Sequence, residues 1–161
     1  MLDQVNIYTD GSAIGNPGPG GYGIVMEWKV KEYIKEFSEG FRMTTNNRME
    51  LLAVIIGLET LRRDGVAVVV YSDSKYVIDA VKKKWVFNWE KKDFKNKKNP
   101  DLWKRFLKIH KKYKVDYQWI KGHNAHPQNE RCDRLAHTAA KKSPINIDTY
   151  FEQYQLENPK Q

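Results

Sequence analysis

Residues 66–71, Val-Ala-Val-Val-Val-Tyr, form a continuous apolar run rich in β-branched residues, and they follow directly on a segment with helical periodicity. A strand without polar alternation has to be covered on both faces, so this chain needs a sheet flanked by helices on either side. Upstream, Val5–Asp10 alternates, and Tyr22–Val30 and Tyr33–Met43 are β-rich runs separated only by Lys31 and Glu32, which predicts a three-stranded antiparallel meander. A helix is predicted over 46–62, where Leu51, Leu52, Val54, Ile55, Leu58 and Leu61 follow the 3.6 spacing and Thr45 is available as its N-cap. The order strand, helix, strand makes the 66–71 strand parallel to its predecessor in the sheet. Helices over 74–81, 101–112 and 129–142 and a fifth strand over 115–120 complete an α/β fold. The stretch GSAIGNPGPGG after Asp10 reads as a turn or loop with close backbone approach.

The 161 residues are about one domain's worth. Residues 1–143 are expected to be that domain, and the 144–161 tail, which lacks a clear period, is expected to be partly disordered. No window approaches the roughly 18 apolar residues that cross a bilayer, and the first residues lack a signal core, so a cytoplasmic protein with no membrane partner is expected. The single Cys132 sits among apolar helix positions and reads as a small core residue.

Charge is unevenly placed. Residues 82–114 hold 14 Lys or Arg against 3 Asp or Glu, a local +11 within a chain of formal charge +8, which leaves −3 for the remainder. Trp85, Phe87, Trp89, Phe94 and Trp103 are interleaved with these cations. Lysines that meet phosphates and aromatics that offer stacking surfaces point to nucleic acid, although the same aromatics can serve as core.

Four acidic residues stand apart. Asp10 and Asp73 end predicted strands, Asp133 lies in the last predicted helix, and Glu50 shares the inward helical stripe with Val54, Gly57, Leu58 and Leu61. A carboxylate aimed at a core costs several kcal/mol unless it is paired or bound to metal, so a purely structural Glu50 needs a basic partner such as Arg48 or Lys75. For Asp10 and Asp73 the structural alternative is turn or helix capping. Two like charges about 5 Å apart repel by about 3 kcal/mol at an effective dielectric near 20, so converging carboxylates call for cations. Hard oxygen ligands suit Mg²⁺ or Mn²⁺, and strand ends of an α/β sheet can gather them at one point.

The segments YTDGS with NPGPGGYG (8–23), TTNNRMELLA (44–53), YSDSKYV (71–77) and KGHNAHPQNERCDRLA (121–136) resemble bacterial ribonuclease HI. That resemblance implies a mixed five-stranded sheet, three strands antiparallel and two parallel, with a basic aromatic insertion at about 82–100. It implies an endonuclease that cuts the RNA strand of an RNA–DNA hybrid and leaves 5′-phosphate and 3′-hydroxyl ends. Asp10, Glu50, Asp73 and Asp133 match the metal-binding carboxylates, expected to hold two Mg²⁺ ions with Asp10 as the bridge and Mn²⁺ as a substitute. His123 matches a proton-transfer histidine, and Glu130 a glutamate near the metals. Gly11, Ser12 and Asn16 are candidates for reading ribose 2′-hydroxyls, and Asn46 and Asn47 for the minor groove. Thr45 and Asn99 match a DNA-phosphate site, and Tyr76 and Trp85 match DNA-facing aromatics.

Two positions depart from the family pattern: Lys75 replaces a common glutamine, and Met43 a common arginine. Lys75 is therefore expected to offer a phosphate contact in place of an amide contact to a base. A monomer is expected. The alternatives are a DNA-cutting nuclease or strand-transferase of similar fold, as in integrases and resolvases, and a non-catalytic module that binds hybrid or double-stranded RNA.

Overall fold

The computed structural model describes residues 3–122 and 126–159. Strands β1 (Gln4–Ala13), β2 (Gly18–Trp28) and β3 (Tyr33–Thr44) form the antiparallel meander, with one 3₁₀ turn at Lys29–Lys31 between β2 and β3. Helix α1 (Asn46–Glu59) leads to β4 (Ala67–Ser72). Helices α2 (Lys75–Lys82), α3 (Trp85–Lys91) and α4 (Pro100–His110) then precede β5 (Lys114–Trp119), α5 (Pro127–Lys141) and α6 (Thr149–Glu157). The sheet order is β3-β2-β1-β4-β5, antiparallel across β3-β2-β1 and parallel across β1-β4-β5. This is the mixed five-stranded α/β architecture the sequence implies.

Period-two alternation divides the core between the two faces of the sheet. Ile7 and Ile24 face α1, where Gly57 has no side chain and lets the helix settle onto Ile7. Tyr8 and Val25 face the opposite way and pack with Cys132 of α5. Cys132 is fully enclosed and donates its thiol to the Tyr8 carbonyl at 3.2 Å, a structural role. Among the described residues no helix is long and apolar enough to cross a membrane.

One expectation is corrected. The glycine-rich stretch after Asp10 is mostly strand: β1 runs on to Ala13 and β2 begins at Gly18, so the turn is confined to residues 14–17. Glycine here serves helix packing, because a Cβ on Gly21 would stand 2.7 Å from the Ala136 carbonyl oxygen in α5.

The tail carries helix α6, which Asp148 caps by accepting from the Phe151 amide at 3.4 Å. Its carboxylate also receives Arg48 Nε at 2.7 Å and Thr44 Oγ1 at 2.7 Å, while Arg48 holds Asp101 through both terminal nitrogens at 2.8 and 2.7 Å. Arg48 is only 2% exposed, so its buried guanidinium fixes α6 to α1 and α4 through Asp148 and Asp101. Replacing one partner leaves a buried guanidinium short of an anion. Asp148→Ala is expected to lower stability by about 3 kcal/mol in urea melts, and a loss below about 1 kcal/mol would show that α6 is not fixed through Arg48.

Candidate active site

Parallel pairing of β1 with β4 ends at Thr9 opposite Ser72, so the next residue on each strand, Asp10 and Asp73, emerges side by side at the carboxyl ends. Ser74 is the N-cap of α2, its hydroxyl accepting from the Val77 amide at 3.3 Å. The third carboxylate arrives from above the sheet. Gly11 lies under the first turn of α1, where a Cβ would come within 2.3 Å of both Glu50 N and Met49 C. Only glycine permits this approach, and the approach brings Glu50 beside Asp10. One oxygen from each of Asp10, Glu50 and Asp73 lies within 4.8 Å of the others.

Electrostatics mark this cluster as strained without a cation. Burial, then the Asp73 charge, pushes the Asp10 carboxyl up to about 7 from an ordinary 3.8. Burial and the charges of Asp10 and Asp73 raise Glu50 well above the usual carboxylate range. Glu50 Oε2 is enclosed with no hydrogen-bond partner among the described residues. Neither cation that could have made Glu50 structural serves it. Arg48 is engaged by Asp101 and Asp148, and Lys75 lies over the Trp119 ring, 4.9 Å from its centroid. Three hard oxygen donors around an orphaned carboxylate oxygen fit a divalent cation such as Mg²⁺ or Mn²⁺.

The remaining predicted residues fall into three places. Asp133 stands outside the close triad; its Oδ1 is 3.2 Å from His137 Nε2, and its charge adds to the upward push on Asp10. Glu130 is exposed on the first turn of α5, and His123 lies outside the described residues. On the side of α1, Asn46 accepts from the Ala13 amide, Asn16 accepts from the Asn46 amide at 3.0 Å, and Thr45 caps α1 by accepting from Arg48 N at 3.2 Å. Asn47 is exposed beside them.

Asn99 sits between Arg48 and Tyr76, accepting from Arg48 Nη1 at 3.2 Å and donating to the Tyr76 hydroxyl at 2.9 Å. Thr45, Asn47, Asn16 and Asn99 thus border one cleft, joined there by Lys97 and Lys98. Trp85 is 44% exposed at the start of α3, with Lys83 Nζ 5.1 Å from its ring centroid. By contrast Phe94 and Trp103 are buried, so the aromatics of the basic block divide between core and surface.

A family model described as RNase H matches residues 3–141. The chain belongs to the RNase H family. It is 51% identical to a protein named Ribonuclease H from Shewanella denitrificans over 155 residues, which cover 93% of this chain and 95% of the relative. Among solved structures it is similar to LC9-RNase H1, described as a type 1 RNase H with the type 2 active-site motif, at TM-score 0.76 and 30% identity over 96% of this chain and 82% of that one. It is also similar to LC11-RNase H1, solved in complex with an RNA/DNA hybrid, at TM-score 0.64 and 27% identity over 86% of this chain and 98% of the other.

In this member of the RNase H family, sequence reasoning passed over His137, which the structure places between two site residues. Its Nε2 meets Asp133, and its Nδ1 lies 3.5 Å from Ser12 Oγ. The i, i+4 spacing from Asp133 on a helix was the available signal.

The raised carboxyls give stability a definite pH dependence. The folded protein holds the Asp10 proton more tightly than the unfolded chain does, so without metal its stability falls as pH rises from about 4 to about 7. Asp10→Asn removes that penalty. In chelator it is expected to be more stable than wild type near about pH 8 by on the order of a few kcal/mol, with the gap closing toward about pH 4. Urea melts at both pH values check this, and a variant no more stable at the higher pH would contradict it.

Proposed function

We propose that this protein is an endonuclease that hydrolyses the RNA strand of RNA–DNA hybrids, using divalent metal held by Asp10, Glu50, Asp73 and Asp133. The observation that carries this reading is the close Asp10–Glu50–Asp73 cluster, with Asp10 buried and one Glu50 oxygen enclosed without a hydrogen-bond partner among the described residues, in a chain of the RNase H family. A binding module would gain nothing from gathering three carboxylates whose mutual repulsion weakens the fold.

Divalent ions bound to such a set supply charge neutralisation at the attacking and leaving oxygens of an in-line displacement at phosphorus. Mg²⁺ is the proposed cofactor, two ions per site with substrate present, and Mn²⁺ the substitute. The chain's own residues do the rest. Asp10 and Asp73, fixed by the β1–β4 register, and Glu50, fixed by the Gly11 contact, hold their oxygens at one point before any substrate arrives. That pre-organisation removes a reorganisation cost from the reacting complex. His123 is proposed to move a proton at the leaving side, leaving products with 5′-phosphate and 3′-hydroxyl ends, and Glu130 is proposed to act near the metals.

Substrate choice is assigned to the surface around α1. The backbone near Gly11 and Ser12 and the amides of Asn16, Asn46 and Asn47 are suited to hydrogen-bond ribose 2′-hydroxyls and base edges in a shallow minor groove. Thr45, Asn99 and the neighbouring Lys97 and Lys98 are suited to a phosphate of the DNA strand. Trp85 presents a partly exposed ring to a sugar or base, and Tyr76 buttresses Asn99 from behind. Lys75, spread over Trp119, is placed to offer a cation to a passing phosphate.

The test is cleavage of a labelled RNA strand in hybrid, duplex RNA and single-stranded RNA, with Mg²⁺ or chelator. Cutting confined to hybrid and to Mg²⁺ is expected, with Asp10→Asn slower by about 10³-fold, the equivalent of losing several kcal/mol of charge stabilisation. Hybrid that is bound but survives Mg²⁺ and Mn²⁺ would contradict the reading. For the basic block, replacing Lys91, Lys92, Lys95, Lys97 and Lys98 with alanine is expected to raise KM far more than it lowers kcat and to flatten the salt dependence. A large fall in kcat at unchanged KM would contradict that assignment.

A further inference from the structure

A cleft of about 350 Å³ opens where the N-terminus of α1 meets α4 and α6. Thr45 and Asn99 line one part of it, Lys97 and Lys98 another, and Tyr150 and Tyr154 of α6 the rest. The family model ends at residue 141, so these tyrosines belong to a segment it does not reach.

Three features make the α6 wall a built one. Asp148, buried at the head of the helix, is locked to Arg48 and Thr44. Arg42 grips Glu152 with Nε and Nη2 at 2.9 and 2.8 Å. The Tyr150 ring lies over Arg48, 5.2 Å from its Cζ to the ring centroid, and stacks with Tyr154 at 6.5 Å and 16°. The rings are therefore held in place, yet Tyr150 remains 40% and Tyr154 44% exposed.

Charge favours an anion in the cleft. The two acidic groups of α6 nearest its head are each taken by an arginine, whereas Lys97 lies over the Trp89 ring at 5.0 Å and has no carboxylate partner among the described residues. Burial and the Asp101 charge raise the Tyr150 pKa, so its phenol stays a donor at neutral pH. Phenol donors, amides and ammonium groups around one small cleft match the oxygens of a phosphodiester.

Met43 adds a reason for the arrangement. The neighbouring Arg42 faces α6 and binds Glu152, so the strand that ends beside Thr45 contributes no guanidinium to this cleft. The cations of the cleft come from the basic block, as Lys97 and Lys98.

We propose that α6 completes the DNA-strand phosphate subsite, with the Tyr150 and Tyr154 hydroxyls donating to a backbone phosphodiester that Lys97 and Lys98 attract. This deepens the proposed function and rests on its assignment of Thr45 and Asn99 to the DNA strand.

The test uses the full chain carrying Asp10→Asn, which is expected to bind without cutting, and reads hybrid affinity by fluorescence anisotropy. The double substitution Tyr150→Phe and Tyr154→Phe keeps both rings and removes only the hydroxyls. Affinity is expected to fall about tenfold with an unchanged melting temperature. Hybrids with one neutral methylphosphonate linkage, moved along each strand in turn, are expected to lose affinity at one DNA-strand position for the parent and much less there for the double variant. Equal affinity of parent and variant within about twofold would overturn the proposal, as would a sensitive position found only in the RNA strand. Because binding is the readout, failure of the wild type to cut hybrid would count against the proposed nuclease activity alone.

Discussion

Mutual repulsion among Asp10, Glu50 and Asp73 is the constraint around which this molecule is arranged. At separations under 5 Å each ionised pair costs about 3 kcal/mol at an effective dielectric near 20, a large share of a domain's net stability. The fold holds them together by rigid means. Backbone pairing between β1 and β4 sets two of the positions, and the side-chain-free surface of Gly11 sets the third. Gly122 adds to the enclosure, since a Cβ there would approach Asp73 Oδ2 to 2.7 Å. Such rigidity is useful where charge must be presented in advance to a cation and a phosphate, and costly anywhere else.

Stability to offset that strain comes from elements at some distance. The core sandwiched between the sheet and α1, α2 and α4 is continuous from Val5 to Tyr117, with Trp103 and Phe106 fully enclosed. Arg48, two residues before Glu50 on the same helix, ties α1 to α4 and to the head of α6 in one network. The same helix therefore carries a destabilising acid and a stabilising base two residues apart, on different sides of its first turns. Arg48 also touches Asn99, so the residues that border the cleft share hydrogen bonds with the ones that anchor the tail. Changes at Asp148 or Asp101 should reach the cleft through that guanidinium.

Much of this was legible in the sequence where local rules and tertiary need agree. The apolar run at 66–71 and the helical stripe that includes Glu50 are strong periodic signals, and both elements appear within a few residues of their expected limits. The glycine stretch after Asp10 was harder, because glycine is a poor strand former and reads as a turn. Its strand character depends on β-pairing and on the close passage of α5, neither of which is a local property. Helix α6 was illegible for a related reason. It is nine residues long and has no buried residue of its own, and it is held by Arg48, whose position is a hundred residues away along the chain. Asp133 was singled out as an acid of the last predicted helix; its partner His137 was signalled only by the i, i+4 spacing, and the approach of His137 to Ser12 needed α5 to be set against β1.

Proton release on metal binding tests the central claim most directly. If the carboxyl cluster exists to hold a divalent cation, metal must displace the protons that burial and like charge retain on Asp10 and Glu50. Titration calorimetry with Mn²⁺ at about pH 6.5, repeated in buffers of different ionisation enthalpy, counts those protons. Release of on the order of one proton per ion bound at the cluster is the predicted result. Binding with no proton release, or no binding at all, would mean that the raised carboxyls serve some purpose other than holding a metal.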